Sequence, residues 1–209
     1  MTSSAAYAGR PSSKNTEKSQ QAQKGTMIKA KGQSKKMIAP ETIEVKARNT
    51  AELKKMSEKK KKKLEEENKG RRGPKKEIYK NQNRVRLAVH NLLAMENMLG
   101  GIGPEVSKIA REFNNSVKKT TQAEIKIKER NRFRKFFTGG DKESAEILKK
   151  EVSKEEEMIK KLEGLVGKAK VAVEVKANVE EQVKNIKTEL ERLARVVKGE
   201  EESKGVFSR

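Results

Sequence analysis

The stretch from Pro74 to Pro104, PKKEIYKNQNRVRLAVHNLLAMENMLGGIGP, decides how the chain is read. Ile78, Val85, Leu92 and Leu99 recur every seventh residue. Asn81, Ala88 and Met95 fall between them at the d-like positions, with Val89 beside them. A seven-residue period returns to one side of an α-helix every two turns, so these residues form a single apolar stripe. The stripe covers about 25 residues, roughly 38 Å at a rise of 1.5 Å per residue. Pro74 suits the first position of a helix, where an absent N–H removes no intrahelical bond. Gly100-Gly101-Ile102-Gly103 stops the helix and Pro104 begins the next.

Toward the C-terminus the same logic repeats. Val106, Ile109, Phe113, Val117, Thr120, Ala123 and Ile127 share one side of a second long helix, which is expected to run on through Phe133, Phe136 and Phe137 until Thr138-Gly139-Gly140. Asp141 is a good N-cap for a third helix carrying Ile147, Leu148, Val152, Ile159, Leu162 and Leu165. Val171, Val173 and Val175 alternate like a strand. The longer set Val175, Val179, Val183, Ile186, Leu190, Leu193 and Val197 has helical spacing, and a lone strand has nothing to pair with. A helix from about Ala172 to Lys198 is therefore predicted.

Toward the N-terminus the chain becomes polar. Asn49-Thr50 provides an N-cap for a helix whose apolar residues are Leu53, Met56 and Leu64, followed by the basic hinge Asn68-Lys69-Gly70-Arg71-Arg72-Gly73-Pro74. Residues 1–40 are rich in Ser, Gln, Lys, Gly and Ala. Such a composition does not offset an ordering cost of about 1–2 kcal/mol per residue. The run from Thr42 to Ala47 alternates but has no partner strand. The expected organisation is a disordered basic arm (1–48), a solvated charged helix and basic hinge (49–73), a helical domain (74–199) and a flexible tail (200–209).

The fold class that follows is all-α, with antiparallel helical hairpins forming an elongated four-helix bundle or coiled coil behind a disordered basic N-terminal arm. The second long helix would overhang its partners, so two hairpins packed end to end is the alternative geometry. Either core is thin, which favours a homo-oligomer or a helical protein partner.

Composition narrows the function. The 209 residues include 51 Lys+Arg against 30 Asp+Glu, one His, no Cys and no Trp, with 39% charged and 33% hydrophobic residues. Without cysteine there are no disulfides, thiolate metal sites or cysteine nucleophiles, and one histidine leaves little for imidazole chemistry. No cofactor, no small-molecule substrate and no enzymatic activity are expected. Of the net +21, residues 1–77 carry +13 and residues 78–137 carry +8, while residues 138–209 are neutral. No apolar leader opens the chain and nowhere do 18 apolar residues run together, so the expected location is cytoplasmic, or exported if a leader precedes the sequence.

Two basic patches are the candidate sites. The first is Lys59, Lys60, Lys61, Lys62 and Lys63 with Arg71, Arg72, Lys75 and Lys76; clustered cations neutralise phosphates without reading sequence. The bland alternative is a solvated helix balanced by Glu65, Glu66 and Glu67. The second is Lys126, Lys128, Arg130, Arg132, Arg134 and Lys135, interleaved with Phe133, Phe136 and Phe137. It suits an anionic membrane surface or RNA, unless the phenylalanines fold back to cap the end of the helices. His90 beside Val89 reads as a packed polar residue. Glu155-Glu156-Glu157 and Glu200-Glu201-Glu202 read as solvated face and tail, because consecutive helical residues point apart. The Gly100–Gly103 turn lacks the strand and the Gly-Lys-Ser/Thr ending that phosphate binding needs.

The segment Lys80-Asn81-Gln82-Asn83-Arg84-Val85-Arg86-Leu87-Ala88-Val89-His90, its continuation NLLAMENMLGGIGPEVSKIAREFNNSV (Asn91 to Val117), and RFRKFFTGGDKESA (Arg132 to Ala145) together resemble a group of helical proteins from methanogenic archaea to which no function is assigned. The resemblance covers roughly residues 80–198 and extends to Ala47–Met56. It implies an all-helical domain and supplies no mechanism. Such relatives carry a cysteine pair before the last helix and an export signal, and neither is present here. The expected function is a non-enzymatic structural or protein-interaction role. A sequence-independent nucleic-acid association through the basic arm is the alternative, and peripheral binding to an anionic membrane is a weaker one.

Overall fold

The computed structural model describes residues 46–130 and 136–203, which fall in one compact unit of the chain. Among the described residues every regular element is helical. The long α-helices among them are α1 (Thr50–Lys69), α2 (Gly73–Ala94), α3 (Gly103–Glu129), α4 (Lys142–Lys168) and α5 (Val173–Glu201), with a 3-10 segment (Glu96–Ile102) between α2 and α3. The arm expected over 1–48 lies outside the described residues up to residue 45.

The caps follow from side-chain chemistry. Asn49 Oδ1 accepts from the Glu52 N–H at 2.9 Å and Asp141 Oδ1 accepts from the Ser144 N–H at 3.0 Å, satisfying amides that the helix itself leaves unpaired. Pro74 and Pro104 sit in the first turns of α2 and α3. Gly100 has φ +56°, a left-handed backbone that a side chain would strain, and it breaks the α2–α3 connection. Gly103 is helical in φ and ψ. It is needed for another reason, since a Cβ there would collide with the Glu96 carbonyl.

Cross-helix bonds establish direction. Gln82 and Asn91 on α2 meet Glu189 and Gln182 on α5; Ser116 and Glu112 on α3 meet Glu151 and Lys154 on α4; Lys149 and Glu163 on α4 meet Glu201 and Lys187 on α5. In each pair residue numbers rise on one helix as they fall on the other, so neighbours are antiparallel. α2 packs on α3, α3 on α4, α4 on α5 and α5 on α2, and α1 packs on α2 from outside this cycle. The interior holds Leu92, Leu93, Phe113, Leu148, Leu162, Ile186 and Leu193, all essentially inaccessible. Burial of each such side chain contributes about 1.5–3 kcal/mol.

Four expectations change. α3 stops at Glu129 with Arg130 extended and does not run on to Phe137, so at 27 residues it is as long as α4. Phe136 is 61% exposed and meets Phe137 edge-on at 5.1 Å, so it caps no core. Residues 200 and 201 belong to α5, and Glu200 is buried. Finally, Lys46 and Ala47 are folded: Ala47 N–H donates to the Ala94 carbonyl at 2.9 Å, and Lys46 Nζ reaches the Leu93 carbonyl and Glu96 Oε2 at 3.2 and 2.8 Å. These groups satisfy the open carbonyls at the C-terminus of α2.

Candidate functional site

α1 has few apolar residues, and they decide how it lies. Leu53 and Leu64 are buried, and the stem of Lys60 is buried with them while its neighbours Lys59, Lys61, Lys62 and Lys63 are exposed. A long lysine stem covers apolar surface in this way while its ammonium seeks water or a partner. Polar contacts fix the C-terminal half of α1 on α2. Arg86 donates to Glu67 at 2.8 Å, Asn83 Nδ2 donates to the Leu64 carbonyl at 3.0 Å, and Asn68 Nδ2 donates to the Lys76 carbonyl at 3.2 Å. Arg71 at the hinge stacks on the Tyr79 ring at 3.4 Å, a cation–π contact that holds the turn between the helices.

This arrangement leaves a groove of about 460 Å³ between α1 and α2. Lys61 and Lys69 line it from α1, Lys76, Lys80 and Arg84 line it from α2, and Glu65 is its single carboxylate. Leu64 and Leu87 supply the floor, and carbon makes up most of the lining because the lysine stems join them. Among the described residues none of Lys61, Lys69, Lys76 and Lys80 is engaged in an ion pair. The groove is therefore a positive trough with an apolar base.

The residues expected to bind polyanions are thus distributed. Lys61 lines the groove, whereas Lys59, Lys62 and Lys63 point elsewhere on α1, since adjacent helical residues are about 100° apart. Arg72 is the exposed residue preceding α2. Lys126 and Lys128 are exposed on the last turn of α3, and Arg130 donates to Thr138 Oγ1 at 2.6 Å. Arg132, Arg134 and Lys135 lie outside the described residues. Lys75 pairs with Glu129, so the start of α2 and the end of α3 share one end of the body. The hinge cations and Lys126, Lys128 and Arg130 are therefore brought to the same end. Lys128 also lines a second cleft of about 370 Å³ with Arg192 and Arg195. Lys69, Lys80 and Arg84 were not singled out from the sequence. The available signal was the row Lys76, Lys80, Arg84 at spacing i, i+4, i+8, which the eye-catching run of five lysines obscured.

Charge also enters the interior. Arg192 Nη1 and Nη2 lie 2.6 Å from the two carboxylate oxygens of Glu124, and its Nε and Nη2 reach Glu189 at 2.9 and 2.6 Å. Gln82 Nε2 adds a fifth bond to the cluster, at 3.2 Å to Glu189. Burial drives the Arg192 guanidinium toward losing its proton, but the two carboxylates more than offset this and hold it firmly cationic. Burial raises Glu189 above the ordinary carboxylate range despite Arg192. Glu151 accepts from Ser116 and Lys119 at 2.8 and 2.7 Å; burial pushes its carboxyl up, and these donors outweigh it and bring it below its usual value. Glu155 is 3% exposed, and desolvation raises its carboxyl to about 8. Reading Glu155 as part of a solvated face was wrong: helical rotation sends Glu156 and Glu157 to water and Glu155 inward. Glu200 of the second acidic run also turns inward, and its Oε2 accepts from the Asp141 N–H at 3.1 Å. Among the described residues no group of three or more acidic or imidazole side chains is placed to hold a metal ion. No helix among them is long and apolar enough to cross a membrane. His90 is half-buried on α2 among the residues of the apolar stripe.

Comparison with protein-family models, with curated proteins and with solved structures gives no match.

Proposed function

We propose that the protein is a non-enzymatic helical interaction protein in which α2 to α5 form a four-helix bundle of two antiparallel hairpins and α1 adds a basic outer wall that receives an anionic partner. The observation that carries this reading is the contrast in charge treatment. Carboxylates inside the body are engaged by Arg192, Lys119 and Ser116, whereas Lys61, Lys69, Lys76 and Lys80 converge on one groove with a single glutamate among them. Convergent cations without counter-ions raise the local concentration of anionic partners and speed their encounter. The kinship with the methanogen helical proteins belongs to this proposal and adds no chemistry to it.

A second reading, sequence-independent association with nucleic acid, is favoured by the meeting of Arg71 and Arg72 with Lys126, Lys128 and Arg130 at one end of the body. An affinity pull-down from native extract with and without nuclease distinguishes the two. Partners retained after nuclease support a protein partner, and partners lost with it support nucleic acid. In either case binding weakens steeply between about 50 and 200 mM salt if the groove cations carry it. Salt-insensitive binding overturns the role given to them.

A further inference from the structure

We propose that the α1–α2 groove seats an acidic amphipathic helix of a protein partner. This rests on the reading of the protein as one that receives an anionic partner, and it names the partner's form. The groove runs between two antiparallel helices, from Lys61 to Lys69 on one wall and from Lys76 to Arg84 and Leu87 on the other. At 1.5 Å per residue the walls are about 12 and 16 Å long, which spans two to three helical turns. Its cross-section separates two kinds of chemistry, with ammonium and guanidinium groups on the rims and Leu64, Leu87 and aliphatic stems at the base.

A phosphate backbone would pair with the rims and leave the carbon base wet. A helix with apolar residues at i, i+3 or i+4, and i+7 fills the base and sets glutamates or aspartates against the rims. A base-stacking mode is also poorly served. Tyr79 and His90 are the aromatic side chains on α1 and α2; neither lines the groove, and the Tyr79 ring is occupied by Arg71. Charge complementarity argues against a second copy of this chain as occupant. The exposed face of α5 mixes Glu180, Glu181 and Glu191 with Lys184, Lys187 and Arg195, and presents no acidic row to meet five cations.

The test uses the full chain and a labelled acidic peptide of about 15 residues, with leucines at helical i, i+4 and i+7 spacing, followed by fluorescence anisotropy. The comparators are a peptide of the same composition with scrambled spacing, a single-stranded oligonucleotide of similar charge, and anionic phosphatidylglycerol vesicles. The amphipathic peptide is expected to bind at least about 10-fold tighter than the scrambled one. Leu87→Glu, and separately the pair Lys76→Glu and Lys80→Glu, are each expected to reduce that binding by about 10-fold or more. All three positions are exposed or half-buried, and an unchanged circular dichroism melt shows that the variants fold. Equal binding of both peptides overturns the proposal, as does tighter binding of the oligonucleotide or vesicles that survives Leu87→Glu; either result leaves an anionic partner in place. Failure of every anionic probe to bind at low salt overturns the anionic-partner reading as well. Self-association of the chain that is lost with Leu87→Glu assigns the groove to a second copy and overturns the helix partner.

Discussion

Arg192 on α5 reaches through the interior to Glu124 on α3, and its two terminal nitrogens each lie 2.6 Å from one oxygen of that carboxylate. The pair is bidentate, links helices that are not neighbours in the packing cycle, and is joined by Glu189 from α5 itself. One guanidinium thus serves two nearly inaccessible carboxylates.

Arg192→Met leaves Glu124 and Glu189 buried without a cation. Removing one partner of such a cluster costs about 3–5 kcal/mol, and Glu189, already raised by burial, loses the guanidinium that held it down and takes up a proton more readily. The folded variant binds protons more tightly than the unfolded chain, so its stability is expected to rise as pH falls from 8 toward 5. Urea denaturation at the two pH values checks both the loss and its sign.

Glu155 offers a cleaner proton count. Its carboxyl is raised by burial to about 8, against an ordinary value of 4.5. Below 4.5 it is protonated in both states and contributes nothing to the pH dependence. As pH rises from 4.5 to 8 the unfolded chain ionises while the folded chain keeps its proton, so stability falls with rising pH. Glu155→Gln removes that decline and is expected to gain about 1–3 kcal/mol at neutral pH. A variant curve parallel to the parent's between pH 5 and 8 would refute the assignment.

Glu96 has the opposite sign. Hydrogen bonds from Lys46 and Ser107 hold its carboxyl below the usual range despite its burial. Its contribution is present above 4.5 and is lost as pH falls through the lowered value. Glu96→Gln is expected to cost about 1–2 kcal/mol at neutral pH and to flatten the acid side of the stability profile. It should also speed amide exchange at Ala47, whose position depends on the Lys46 contact.

Two glycines should respond oppositely to alanine. A Cβ on Gly140 would collide with the backbone carbonyl of Glu200, whereas a Cβ on Gly164 meets nothing within 4 Å. Gly140→Ala is expected to cost about 1–3 kcal/mol by forcing the end of α5 away from the α3–α4 turn. Gly164→Ala should add about 0.5–1 kcal/mol through helix propensity. Thermal melts of the two variants on either side of the parent settle the contrast.

The helices were legible because their signals are local. Asn49 and Asp141 announce caps, Pro74 and Pro104 mark first turns, and the valine and leucine rows of α5 outweigh the short alternation from Val171 to Val175. The polar interior was not legible. Glu124, Glu155 and Glu189 look like solvated positions until the fold buries them and sets Arg192 beside Glu124, 68 residues away, and Gln82 beside Glu189, 107 residues away. The extent of α3 was misjudged for a related reason, since phenylalanines at helical spacing are no evidence of burial and Phe136 is exposed. The groove was half legible. Lys61 was identified as basic, but only the rotation of α1 against α2 separates it from Lys62 and Lys63.

The packing of α5 against α2 has a consequence for how the chain is made. Its hydrogen bonds join Gln82 to Glu189 and Asn91 to Gln182, 107 and 91 residues apart. At ribosomal speeds of about 5–20 residues per second, the apolar side of α2 is synthesised roughly 5–20 s before the helix that completes its cover. During that interval α2 and α3 can pair as a hairpin while one seam stays uncovered, a period in which a chaperone or a neighbouring nascent chain has access to Val85, Ala88 and Leu92.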